Sequence, residues 1–137
     1  MSTLVKDRKP SPVQFIDTAV ELEEIMITYI PKFPKRSRFI WQTKLSDSHY
    51  RLLAYVIEAN SIEDKGEGIS KRKDLFEKAL GVGNTINTMI SIIQRRYYDS
   101  LQDNQWLRWG RTLANEIALI KGMIKYEKEN LNKEESI

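Results

Sequence analysis

Lys32, Lys35, Arg36 and Arg38 form a basic set around Phe33 and Phe39, and Lys44 and Arg51 follow it. A second basic set, Arg95, Arg96, Arg108 and Arg111, lies far along the chain among Tyr97, Tyr98, Trp106 and Trp109. Guanidinium and ammonium groups neutralise phosphates, and aromatic faces stack on unstacked bases. Residues of these types point to a polyanion-binding surface if the fold brings the two sets together.

Other chemistry has little to work with. The chain has no cysteine, which removes thiolate nucleophiles, disulfides and thiolate metal sites. Its one histidine, His49, rules against a histidine-based metal centre and is expected at the surface or at a helix cap. Gly81-Val82-Gly83 resembles the start of a phosphate loop, but Ile86 stands where the third glycine belongs and no strand precedes it. The run Glu21, Glu23 and Glu24 reads as a solvated helix face, with Glu21 or Glu24 free to pair across helices. No catalytic constellation assembles. The expectation is a protein that is not an enzyme and needs no cofactor or metal.

The 137 residues suit one domain with a single core, and 41% hydrophobic content is too high for a disordered chain. No apolar run is long enough to span a bilayer, and the start of the chain does not read as a signal peptide, so a cytoplasmic protein is expected. The net charge of +3 permits a polyanionic partner without requiring one.

Helical periodicity dominates the chain. Residues 1–10 read as a flexible arm, 11–130 as the folded body and 131–137 as a charged tail. Ser11-Pro12-Val13-Gln14 has the pattern of a helix start, with later starts at Asp17 or Thr18 as alternatives. Pro31 ends the first helix. The second begins near Pro34, and its stripe reads Trp41, Leu45, Leu52, Val56 and Ala59, interrupted at Ser48. Residues 61–70, with Gly66 and Gly68, read as a loop. Leu75, Ala79, Val82, Ile86, Met89, Ile93 and Tyr97 form the clearest heptad, continuing through Gly81 and Gly83 in a third helix over about 70–98. Ile90 and Ile92 lie beside it as an apolar surplus. Asp103 is the expected cap of a fourth helix with the stripe Trp106, Trp109, Leu113, Ile117, Ile120 and Ile124, fraying after Lys125. The fold class is all-α, an up-down-up-down four-helix bundle.

That topology puts the first and third connections at one end, where both basic sets and most aromatics converge, and lets Lys44 and Arg51 extend the basic surface down the second helix. Asp99 and Asp103 are the main opposing carboxylates there. At the other end Glu58, Glu63, Asp64 and Glu67 face Lys65, Lys71, Arg72 and Lys73, and the charges cancel. A plainer alternative remains open: Trp41, Trp106 and Trp109 are core, and the basic residues a solvated rim.

The segment Lys32-Phe33-Pro34-Lys35-Arg36-Ser37-Arg38-Phe39 resembles the connector between the first two helices of the accessory variability determinant proteins of diversity-generating retroelements. Leu113-Ala114-Asn115-Glu116-Ile117, with Gly122 after it, is similar to that family's last helix. The same architecture extends to proteins encoded in intervening sequences of 23S ribosomal RNA genes. The resemblance, over residues 18–125, implies a pentameric ring with a basic surface. Such a ring would bind a reverse transcriptase and its template RNA, and DNA, and support mutagenic reverse transcription without catalysis of its own. A structural or protein-interaction oligomer that ignores nucleic acid is the competing expectation.

Overall fold

The computed structural model describes residues 12–135, and the arm read over residues 1–10 lies outside them. Four helices run α1 Pro12–Tyr29, α2 Lys35–Ser61, α3 Glu67–Tyr97 and α4 Asp103–Glu135, with short 3-10 turns at Ile30–Lys32 and Tyr98–Ser100. Adjacent helices pack in a ring: α1 on α2, α2 on α3, α3 on α4, and α4 back on α1. This is the expected up-down-up-down bundle.

Proline sets the first connection. Pro31 stops α1 at Tyr29, leaving a 3-10 turn closed by the Phe33 amide on the Ile30 carbonyl at 3.0 Å. Phe33 precedes Pro34 and is extended, at φ −75° and ψ 158°, as a residue before proline tends to be. Its ring is buried at 6.0 Å from Tyr97, 6.0 Å from Trp106 and 6.4 Å from Trp109. One connector residue thus pins the first connection to the third.

The core is a column of apolar side chains. Phe15, Leu22 and Ile25 of α1 meet Leu45, Leu52 and Val56 of α2, Phe76, Ile86 and Ile93 of α3, and Trp109, Leu113 and Ile120 of α4. Burying each such side chain stabilises by about 1.5–3 kcal/mol. Ile90 belongs to this core rather than to a surface surplus, whereas Ile92 is exposed.

Several expectations need correction. His49 is neither a surface nor a capping residue. It is 2% exposed and fills the inward position that the Ser48 break left open, one turn from Leu45 and from Leu52. α3 starts at Glu67, a turn before Ser70, because Gly68 lets the helix fold against the preceding loop. Asp103 is the first residue of α4, not its cap. Gln102 caps it, accepting the Gln105 and Trp106 amides at 3.0 and 3.1 Å while its own amide donates to the Gln105 side chain at 2.9 Å. α4 also runs past Lys125 to Glu135, held where Glu127 is buried and where Glu134 accepts the Gly66 amide at 3.2 Å.

Two glycines at the entry to α3 are dictated by geometry. Gly66 has φ +58°, open to glycine at no steric cost. A Cβ on Gly68 would lie 2.0 Å from the Glu63 carbonyl oxygen. Gly68→Ala should therefore cost about 1–3 kcal/mol in urea denaturation by forcing the loop off α3. An unchanged midpoint would mean that the loop gives way freely.

Candidate nucleic-acid interface

The site is assembled by the end of the bundle that Phe33 pins together. Lys35, Arg36 and Arg38 occupy the start of α2, Arg95 and Arg96 the end of α3, and Arg108 and Arg111 the start of α4. Lys32 closes the turn after α1, its ammonium 5.8 Å from the Tyr29 ring centroid. The contact between α2 and α3 is direct: the Tyr97 hydroxyl lies among Ser37, Arg96 and Trp41, and hydrogen bonding with Ser37 foremost lowers its pKa. All of these cations are exposed except Arg38, which is half-buried. The convergence expected from topology is present for these eight residues.

Lys44 and Arg51 lie further down α2, where the sequence has them extending the basic surface. They sit about 14 and 24 Å along α2 from Lys35, at ~1.5 Å per residue. Lys44 rests 5.8 Å from the Trp41 ring. Arg51 lines a groove of about 330 Å³ between α2 and α3. Lys78 lines the same groove and was missed, because in sequence it belongs to the mixed-charge start of the third helix.

Local electrostatics differ among the three helix ends. Arg95 and Arg96 stand in the last turn of α3, where cations favour the helix dipole. Lys35, Arg36 and Arg38 stand at the start of α2, whose first turn holds no acidic residue and no side-chain cap. There the dipole is positive and disfavours them. A bound anion would relieve that repulsion and meet the free amides of the helix start. Arg108 is partly neutralised: it is 3.6 Å from Glu21 and donates to the Tyr29 hydroxyl at 3.5 Å. Glu21 is thus the member of the acidic run that pairs across helices.

The aromatics divide in two. Trp106, Trp109 and Phe33 are core, and the Trp106 indole donates to the Tyr98 carbonyl at 2.9 Å. They cannot stack on a base. Phe39 is 78% exposed and Tyr98 48% exposed, and both can. Tyr98 donates to Asp103, whose carboxylate raises the tyrosine pKa. Beside it lies a groove of about 400 Å³ between α3 and α4, lined by Gln94, Leu107, Gly110 and Arg111 among others. Leu107, half exposed, went unread in sequence because it stands beside the tryptophan stripe rather than on it.

Among the described residues there is no cluster of three or more His, Asp or Glu side chains able to hold a metal, and no helix is long and apolar enough to cross a membrane. Comparison with protein-family models, with curated proteins and with solved structures finds no match.

Proposed function

We propose that this chain is a non-catalytic accessory subunit that binds nucleic acid through the basic end of its bundle. In the fuller form of the reading, it works in the cytoplasm as a homo-oligomer, a pentameric ring by resemblance. It holds a reverse transcriptase and its template RNA, and the DNA copied from it, in support of mutagenic reverse transcription. The observation that carries nucleic-acid binding is the start of α2. Lys35, Arg36 and Arg38 crowd a helix terminus that is already positive, with Arg96 brought alongside through Tyr97. An arrangement that opposes its own helix dipole is stabilised by an anion. The retroelement setting rests on the likeness of Lys32–Phe39 and Leu113–Ile117 to the family connector and last helix.

The test is binding of a structured RNA across a salt series. Wild-type affinity should fall steeply with salt as counterions are released. Arg36→Glu, Arg38→Glu, Arg95→Glu and Arg96→Glu combined should weaken binding at least about tenfold near 0.1 M salt and flatten the slope, with helicity retained by circular dichroism. Equal affinity of the quadruple variant and the wild type would sink the reading.

One observation favours the competing reading of a protein-interaction oligomer. Phe39, Ser46, Tyr50, Leu53 and Ile57 recur at heptad spacing on α2 outside its core stripe, and Phe39, Tyr50 and Ile57 are exposed. Multimers by light scattering that bind no RNA at physiological salt would select it.

A further inference from the structure

We propose that the groove between α2 and α3 around Arg51 and Lys78 is a second phosphate site. It would take the backbone of a single-stranded nucleic acid that leaves the basic end and runs down the bundle. This rests on the nucleic-acid reading above and adds a place that the end cluster does not include.

The groove has the chemistry of a phosphate cradle. Arg51 enters from α2 and Lys78 from α3, and no carboxylate lines it. Both cations are exposed, and neither is in an ion pair among the described residues. Lys73, one turn and a residue away, is by contrast engaged with Glu77 at 3.0 Å. Ser48 and Tyr55 add hydroxyls from α2. Thr85 also lines the groove, but its proton is given to the Gly81 carbonyl at 3.0 Å, so it offers a phosphate no donor. The volume, about 330 Å³, falls within the range of small-ligand sites, about 300–1,000 Å³.

Gly81 supplies an independent observation. It lies in the interior of α3, where glycine is less favourable than alanine. Packing does not demand it: a Cβ there would meet nothing within 4 Å. Gly83, two residues on, is different, since a Cβ would lie 3.1 Å from the Ile117 side chain. Gly83 is a packing glycine, whereas Gly81 leaves a bare stretch of helix at the groove floor. Departures from local preference without a packing cause concentrate at functional sites.

The groove is also connected to the end cluster. Lys44 precedes Arg51 by seven residues, two turns, and so lies on the same side of α2 about 10 Å nearer the end. Arg96 and Lys78 are eighteen residues apart, five turns, and share a side of α3. On the α2 wall Lys44 thus stands between the end and the groove, with half-buried Trp41 beneath it, while α3 carries no cation between Lys78 and Arg95. A positively charged track with aromatic interruptions suits a single strand.

The experiment uses the full chain and a fluorescein-labelled oligouridylate of about fifteen nucleotides, at several salt concentrations, with amide shifts followed by NMR. Lys78→Glu and Arg51→Glu should each weaken binding about fivefold or more, and each should lower the salt slope by about 0.7, the single-strand value per phosphate contact. Gly81→Leu should fold as the wild type does, since its Cβ enters open space, yet bind at least about fivefold more weakly. Gly81→Ala should melt higher than the wild type. The Gly81 and Thr85 amides should shift on adding RNA. If Lys78→Glu and Gly81→Leu bind as the wild type while the quadruple arginine variant does not, the groove is overturned and the end cluster stands. A wild-type chain that binds no oligouridylate even at low salt overturns both.

Discussion

Arg72→Met should lower the unfolding free energy by about 3–5 kcal/mol, the scale for removing one member of a buried ion pair. Arg72 is 3% exposed and works in four directions. Its Nε lies 3.5 Å from Glu127 of α4 and 3.6 Å from Asp64 of the α2–α3 loop. Its Nη1 donates to the Ala59 carbonyl at 2.8 Å and the Ile62 carbonyl at 3.0 Å, closing the end of α2. Its guanidinium carbon stands 5.6 Å from the Phe76 ring centroid, one turn along α3. Methionine keeps much of the stem's packing but removes the charge that faces Glu127, whose side chain is fully buried. Replacing both, Arg72→Met with Glu127→Leu, should recover most of the loss, because a buried pair roughly breaks even against apolar residues of similar size. A double-mutant cycle by urea denaturation measures the coupling, expected to exceed about 2 kcal/mol. A cost below about 1 kcal/mol for Arg72→Met would show that the guanidinium is dispensable. Amides of the loop after Ser61 should exchange faster in the single variant, since that loop loses its anchor.

Arg72 also shows where sequence reading stops. The bundle was legible because the α3 heptad of Leu75, Ala79, Val82, Ile86, Met89, Ile93 and Tyr97 is largely apolar and regular; five of the seven are buried, and Met89 and Tyr97 are half-buried against the same core. The proline-bounded connector was legible for the same reason: Pro31 and Pro34 restrict the backbone whatever surrounds them. Polar residues at inward positions were not. Arg72 lies three residues before Leu75, Glu116 three after Leu113, and Glu127 three after Ile124, each in phase with its stripe. Spacing argues for burial and residue type argues against it, and only the partners across the bundle decide. His49 escaped notice in the same way. Its Nδ1 donates to the Leu45 carbonyl at 2.8 Å and its ring lies 6.4 Å from Trp109, neither visible from the neighbouring letters. At the basic end, topology placed the cations correctly because it depends only on helix count and direction. It could not place Lys78, whose position in the groove depends on which side of α3 faces α2.

Glu116 should make the bundle lose stability as pH rises from about 5 to 8, against the usual behaviour of a carboxylate. Its side chain is fully buried, and neither carboxyl oxygen has a hydrogen-bond partner among the described residues. Burial alone pushes its pKa from 4.5 up to about 8. The folded chain therefore keeps the proton over a range in which the unfolded chain has released it. The stability is fully present below about pH 4.5 and drains away as pH climbs toward 8, above which both states are ionised. At about 1.4 kcal/mol per pH unit the whole span is worth on the order of 5 kcal/mol. His49 acts in the opposite sense. Burial lowers its pKa from 6.5, so the fold holds it neutral and loses stability as pH falls below that value. Glu116→Gln keeps the shape and removes the titration. Its unfolding free energy should rise between pH 5 and 6.5, where His49 still acts, and then hold level to pH 8, while the wild type, in which the two effects offset up to about pH 6.5, declines only from there to pH 8. Parallel profiles for the two proteins would mean that Glu116 already ionises near its ordinary pKa in the folded state, with water reaching it. Glu116→Leu separates the cost of the charge from that of the buried polar group: at pH 8 it should be more stable than the wild type, and at pH 5 the advantage should shrink to the cost of burying the unpartnered neutral carboxyl plus the difference in packing.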